Sequence, residues 1–127
     1  MDIKLELVMV PVTDVDRAKD FYERVGFVVD MDRTVSDDIR FVQITPPGSA
    51  CSIAIGRGIT AMAPGSLDNL QAVVADADAV LAGLRERGIE ADGVSDLDWG
   101  RFVTFRDPDG NRWSLQQLPD HAAGARG

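Results

Sequence analysis

Histidine and cysteine are almost missing from this chain: its 127 residues include one of each, His121 and Cys51. One cysteine excludes an intrachain disulfide and suits a reducing cytoplasm. One histidine, close to the C-terminus, leaves no Ser-His or Cys-His pair to assemble within a domain that ends before it. Cys51 lies on a strand-like segment with no histidine near it in sequence, so a plain strand or core role is expected. Basic residues are also in the minority, 13 Lys and Arg against 21 Asp and Glu, for a formal net charge of −8. Neutralising phosphates needs a concentrated basic face, which argues against nucleic acid and against anionic membranes as partners. No apolar run approaches the roughly 20 residues that span a bilayer. The start, Met1-Asp2-Ile3-Lys4-Leu5-Glu6, lacks the basic-then-apolar pattern of a secretory signal. The expectation is one cytoplasmic globular domain over residues 1–119, followed by a disordered small-residue tail at 120–127.

What the chain does have is an internal repeat. A constant offset of 62 positions carries Val12 to Val74, Asp14 to Asp76, Asp16 to Asp78 and Gly26 to Gly88. The same offset carries Pro46 to Pro108, Gly48 to Gly110, Ser52 to Ser114 and Ile53 to Leu115. Both ends of both halves are related without an insertion, so the chain is a duplicated module, at about 3–57 and 67–118 with a linker at 58–66.

Leu5 to Val12 is β-rich and apolar on both faces, as a strand covered on both sides should be. Asp14 can cap a helix whose apolar positions Val15, Ala18, Phe21, Tyr22 and Val25 fall at spacings of three and four, and Gly26 can end it. Phe27 to Asp30, Ile39 to Thr45 and Ala50 to Ile55 read as strands. The second half repeats the order: a strand at Leu70 to Val74, a helix at Asp76 to Arg87, and Gly88 as its C-cap. A weak strand is expected near Glu90 to Val94 and a loop at Asp96 to Gly100. A hairpin closes the module, Phe102 to Phe105 and Trp113 to Leu115 about the turn Asp107-Pro108-Asp109-Gly110. Each half is thus βαβββ. The fold class expected is α+β: two tandem βαβββ modules forming an eight-stranded, cup-shaped mixed sheet with the helices outside. Such a cup suits a small molecule.

Duplicated βαβββ modules, Val12-Thr13-Asp14 leading into Asp20-Phe21-Tyr22 and Gly26-Phe27, and Asp107-Pro108-Asp109-Gly110-Asn111 together resemble the glyoxalase/bleomycin resistance/dioxygenase superfamily, the vicinal oxygen chelate proteins. The resemblance covers essentially residues 3 to 118. It implies either a divalent-metal enzyme, as in glyoxalase, extradiol dioxygenases, epimerases and fosfomycin-inactivating transferases, or a metal-free antibiotic-binding protein of the bleomycin type. Metal-dependent relatives place a histidine seven residues before the helix-capping Asp, which corresponds here to Leu7 and Asn69. Their closing hairpin reads Asp-Pro-Asp-Gly-Asn-x-x-Glu-Leu, and the glutamate position is Ser114, with Ser52 as its counterpart. A divalent metal of this kind wants imidazole nitrogen or carboxylate oxygen. One alkyl group, two hydroxyls and an amide offer neither, so no metal and no cofactor is expected.

Strand alternation then defines a lining for the cup. Leu7 and Met9 share a face on the first strand, Ser52 and Ala54 on the fourth, Asn69 and Gln71 on the fifth, and Arg112, Ser114 and Gln116 on the last. Trp113 points toward the helix. Trp99, in Asp98-Trp99-Gly100-Arg101, is placed at the rim, where antibiotic-binding relatives use aromatic residues to sandwich planar ligands. Arg101 or Arg112 could meet an anionic group on a ligand. Asp96 and Asp98 read as solvated loop carboxylates. The expected function is binding of a small organic molecule, of the antibiotic-sequestering type, by a homodimer. Two alternatives stay open. One is a lyase, isomerase or dioxygenase-like enzyme that is metal-independent or uses other ligands. The other is a structural dimer whose cup is filled by Leu7 and Met9.

Overall fold

The structure, a computed structural model, describes residues 1–120. Of the expected tail at 120–127, all but Asp120 lies outside the described residues, and His121 with it. The chain is α+β and divides into two compact units. The first comprises residues 1–67 together with 107–111, and the second, among the described residues, 68–106 together with 112–120.

The first unit holds β1 (Leu7–Met9), α1 (Val15–Val25), β2 (Val28–Thr34), β3 (Arg40–Thr45) and β4 (Ser52–Arg57). Its sheet runs β1-β4-β3-β2, with β1 parallel to β4 and the other pairs antiparallel. Asp14 caps α1 by accepting from Arg17 N at 3.1 Å, and Gly26 ends it at φ 110°. The stripe predicted from spacing is the buried one: Val15, Ala18, Phe21, Tyr22 and Val25 pack toward the sheet. Val42, Ile44 and Ile55 are fully enclosed beneath them, each such side chain contributing about 1.5–3 kcal/mol. The first strand is shorter than its apolar run. Val10 N still donates to Ala54 O at 2.8 Å, but Pro11 has no N–H and the ladder stops.

The second unit repeats the order with β5 (Leu70–Val73), α2 (Ala77–Glu86), β6 (Ser95–Leu97), β7 (Gly100–Arg106) and β8 (Arg112–Gln117). Its sheet runs β5-β8-β7-β6, again with one parallel pair, β5 to β8. Asp76 caps α2 through Ala79 N at 3.1 Å. The C-cap falls on Arg87, one residue before the expected Gly88, and Gly88 takes the left-handed conformation just beyond it at φ 73°. Leu84, Val103, Phe105, Trp113 and Leu115 form its buried interior, with the Trp113 and Phe105 rings stacked at 5.9 Å. Trp113 is core, as its parity required.

One element lies elsewhere than expected. The segment Glu90 to Val94 carries only an isolated bridge, Ala91 to Phe105, whereas Ser95–Leu97, whose Asp96 and Leu97 were expected in a loop, is β6. It pairs with β7 as Ser95 to Phe102, Asp96 to Arg101 and Leu97 to Gly100, closing a hairpin on Asp98-Trp99. The Asp96 to Arg101 ion pair, 2.7 Å, locks that register.

Candidate functional site

The turn of the closing hairpin, at 107–111, is held by side chains of the first unit. Asp107 Oδ1 accepts from Asp109 N and Asn111 N, which shapes the turn itself. Tyr22, fully buried, donates its hydroxyl to Asp107 Oδ2 at 2.8 Å. Asn111, also fully buried, donates to Pro11 O at 2.8 Å and accepts from Leu67 N at 3.1 Å. Asp109 Oδ1 accepts from Thr13 N and Thr13 Oγ1. This polar cluster ties the turn at 107–111 to Pro11, just past the first strand, and to Leu67.

In the first unit, register sets Leu7 opposite Ser52 and Met9 opposite Ala54 across the parallel pair, and Gln43 opposite Ala54 on the other side. Leu7 and Met9 are half-buried, Ser52 and Ala54 buried. Ser52 Oγ lies 2.6 Å from Thr45 Oγ1 and 3.4 Å from Gln43 Nε2. Thr45 Oγ1 in turn donates to the Asp30 carboxylate. Gln43 and Thr45 were absent from the sequence-derived lining, although the alternation of Phe41, Gln43 and Thr45 with Val42 and Ile44 carries the signal.

In the second unit, Gln71 stands opposite Ser114, and Val73 opposite Gln116. The offset repeat had aligned Asn69 with Leu7, but the residue facing Ser114, as Leu7 faces Ser52, is Gln71. Asn69 nevertheless reaches Ser114, whose Oγ donates to Asn69 Oδ1 at 2.7 Å. Asn69 Nδ2 donates to Gln71 Oε1 at 3.2 Å, Gln71 Nε2 to Gln116 Oε1 at 2.7 Å, and Gln116 Nε2 to Trp99 O at 2.8 Å. Five of the ten predicted residues therefore form one hydrogen-bonded series. Gly100, at φ 152°, lets it close, since a Cβ there would stand 3.0 Å from Gln116 Nε2. Phe102 and Thr104 on β7 pair with Gln116 and Ser114 and extend this lining beyond the sequence-derived set. The Trp99 residue is 61% exposed, so it is not packed under the sheet.

Arg112 is turned aside, its Nε donating to Asp68 O at 2.6 Å. Arg101 is held by Asp78 and Asp96, both at 2.7 Å. Arg101 is thus committed to two carboxylates, and Arg112 through its Nε to Asp68. The hydrogen bond from Arg101 holds the Asp78 carboxyl below its ordinary value. Hydrogen bonds from Arg40, then from Lys19, depress Asp32 more strongly. Carboxylates held ionised in this way are poor proton donors or acceptors near neutral pH.

Two open clefts lie away from the ten predicted residues. One, of about 550 Å³, borders Pro11, Thr13, Arg40, Ile59 and Met62 in the first unit. The other, of about 590 Å³, borders Arg85, Ile89, Thr104 and Phe105 in the second. Neither is lined by any of the ten predicted residues. Among the described residues, no three His, Cys, Asp or Glu side chains converge as a metal would require. No helix among them is long and apolar enough to cross a membrane.

Comparison with known proteins gives one family. The model of the glyoxalase/bleomycin resistance protein/dioxygenase superfamily matches residues 4–115. TnmS3, an antibiotic binding protein from Streptomyces sp. CB03234, is 40% identical with a TM-score of 0.84, over 94% of this chain and 99% of its own. A glyoxalase/bleomycin resistance protein from the same organism is 41% identical with a TM-score of 0.78, over 90% and 100% of the two chains. YetH of Bacillus subtilis (strain 168), an uncharacterized protein, is 29% identical over 115 residues, 87% of this chain and 94% of its own.

Proposed function

Because the chain belongs to the glyoxalase/bleomycin resistance protein/dioxygenase superfamily, we propose that it binds a small organic molecule, in the manner of an antibiotic-sequestering protein, without a metal and as a cytoplasmic homodimer. The observation that carries this is the 40% identity, over nearly the full length of both chains, to a protein described as antibiotic binding. The chemistry of the lining supports it. At the positions the resemblance assigns to metal ligands, this chain has Leu7, Ser52, Ser114 and Asn69, or Gln71 by strand register, and the Ser, Asn and Gln side chains are engaged in hydrogen bonds with neutral neighbours. That donor set does not fit a catalytic divalent ion, and no reaction step is assigned to one. The first unit offers an apolar pair, Leu7 and Met9, beside neutral hydroxyls and an amide, and the second offers a neutral amide series with an exposed indole at Trp99. These groups suit an uncharged, partly aromatic guest.

The test uses the two tryptophans. In a Trp113→Phe background the remaining emission comes from Trp99. Titration with a panel of uncharged aromatic antibiotics is expected to change that emission saturably for at least one compound. A panel that includes the antibiotic bound by TnmS3 and gives no saturable change with any member would contradict the proposal.

A further inference from the structure

The hydrogen-bonded series in the second unit has a direction, and the direction is fixed by its last member. A backbone carbonyl can only accept, so at Trp99 O the donor must be the Gln116 amide nitrogen, 2.8 Å away. That turns Gln116 Oε1 toward Gln71, whose Nε2 must then donate at 2.7 Å. Gln71 Oε1 consequently faces Asn69 Nδ2, and Asn69 Oδ1 faces Ser114. The Ser114 hydroxyl has no choice left: its proton goes to Asn69. Reversing any one amide would set two oxygens or two N–H groups against each other. Ser114 is 6% exposed and Gln116 8%, so such a mismatch would be poorly relieved by solvent.

Two consequences follow for a guest on this face. Ser114 Oγ has given away its proton and receives no hydrogen bond among the described residues, so it offers lone pairs only. Asn69, Gln71 and Gln116 each use one amide N–H in the series, and the second is uncommitted among the described residues. The face therefore presents an acceptor at Ser114 and donors along Asn69, Gln71 and Gln116. Arg101 is already paired with Asp78 and Asp96, and the Arg112 Nε is turned to Asp68, so neither arginine joins the series.

We infer that Ser114 and the amide series it heads select the ligand: an uncharged molecule carrying an O–H or N–H at the Ser114 end, with carbonyl or ether oxygens toward the amides. Gln116 is the positioning residue, acting on Ser114 through Gln71 and Asn69, and Trp99 contributes its carbonyl as the fixed end. This inference rests on the binding function proposed above.

The experiment takes the full chain, labelled with nitrogen-15, and two probes, beta-naphthol and its methyl ether. Both are uncharged at neutral pH and differ by one O–H donor. The ratio of their affinities is expected to favour the naphthol, and in Ser114→Ala that ratio is expected to fall about tenfold, the worth of one well-made hydrogen bond. An unchanged ratio in Ser114→Ala, with both probes bound, overturns the inference and leaves the binding function standing. Failure of both probes to bind counts against the binding function, and the ligand-free protein then decides the inference by itself. In Gln116→Met, which keeps the length of the side chain, the side-chain amide signals of both Gln71 and Asn69 are expected to move. Movement confined to Gln71, the immediate neighbour, is what a merely local packing role would give, and it overturns the directional series.

Discussion

Asp32, on β2, accepts from Arg40 at 3.0 and 2.8 Å and from Lys19 at 2.9 Å. Those hydrogen bonds, Arg40's first, hold its carboxyl well below the usual carboxylate range. A depressed carboxylate stabilises the fold at every pH above its unfolded value of about 4, and the contribution is lost as pH falls through the folded value. Asp32→Asn is therefore expected to cost roughly 1 kcal/mol near neutral pH, a figure reduced because the Asp32 side chain is 25% exposed. The gap to the parent should narrow as pH drops below about 4. Urea unfolding of both proteins at neutral and acid pH measures it, and a gap independent of pH would contradict the assignment. Leu7 poses a different question. It is half-buried on β1, so Leu7→Trp should alter stability by less than about 1 kcal/mol while abolishing the binding of aromatic ligands. A loss of roughly 1–3 kcal/mol, the cost of overpacking, would identify Leu7 as core instead.

The helices were the most legible elements, because their signals are local. Asp14 and Asp76 cap, Gly26 stops, and the stripe from Val15 to Val25 is buried as its spacing requires. The candidate lining was legible only where alternation could be counted from a motif, as at Ser52, Ala54, Ser114 and Gln116, whose strand positions are those expected. Gln43 and Thr45 join it through the register of β3 on β4, a non-local property. β6 was missed because its turn, Asp98-Trp99, is tight without proline and holds its only glycine at the exit, Gly100. The turn at 107–111 was legible as a turn but not as part of the first unit, since nothing local announces that Tyr22 and Pro11 supply its partners. Asn111 makes that attachment, holding Pro11 O, Asp107 Oδ2 and Leu67 N at once. Asn111→Ala leaves several buried groups unpaired and is expected to cost about 3 kcal/mol or more by denaturant unfolding. A loss under about 1 kcal/mol would mean that the backbone shapes the turn without it.

For the whole molecule, the sheets leave β1 and β2 outermost in the first unit and β5 and β6 in the second. Outer strands with open backbone groups invite pairing, and large apolar side chains such as Val28, Leu97 and Trp99 are exposed on or beside them. A two-fold homodimer is the commonest closed arrangement that would cover such edges. Light scattering at micromolar concentration is expected to return twice the chain mass of 13.7 kDa, and a monomer mass would contradict the dimer. The central claim, that this fold now serves to hold a small uncharged organic molecule, is tested most directly by native mass spectrometry of untagged protein purified from the organism that encodes it. The predicted spectrum shows the folded chain carrying an organic compound, which gentle denaturation releases and which Leu7→Trp protein from the same cells lacks. A spectrum showing one divalent metal ion per chain and no organic compound would contradict the account.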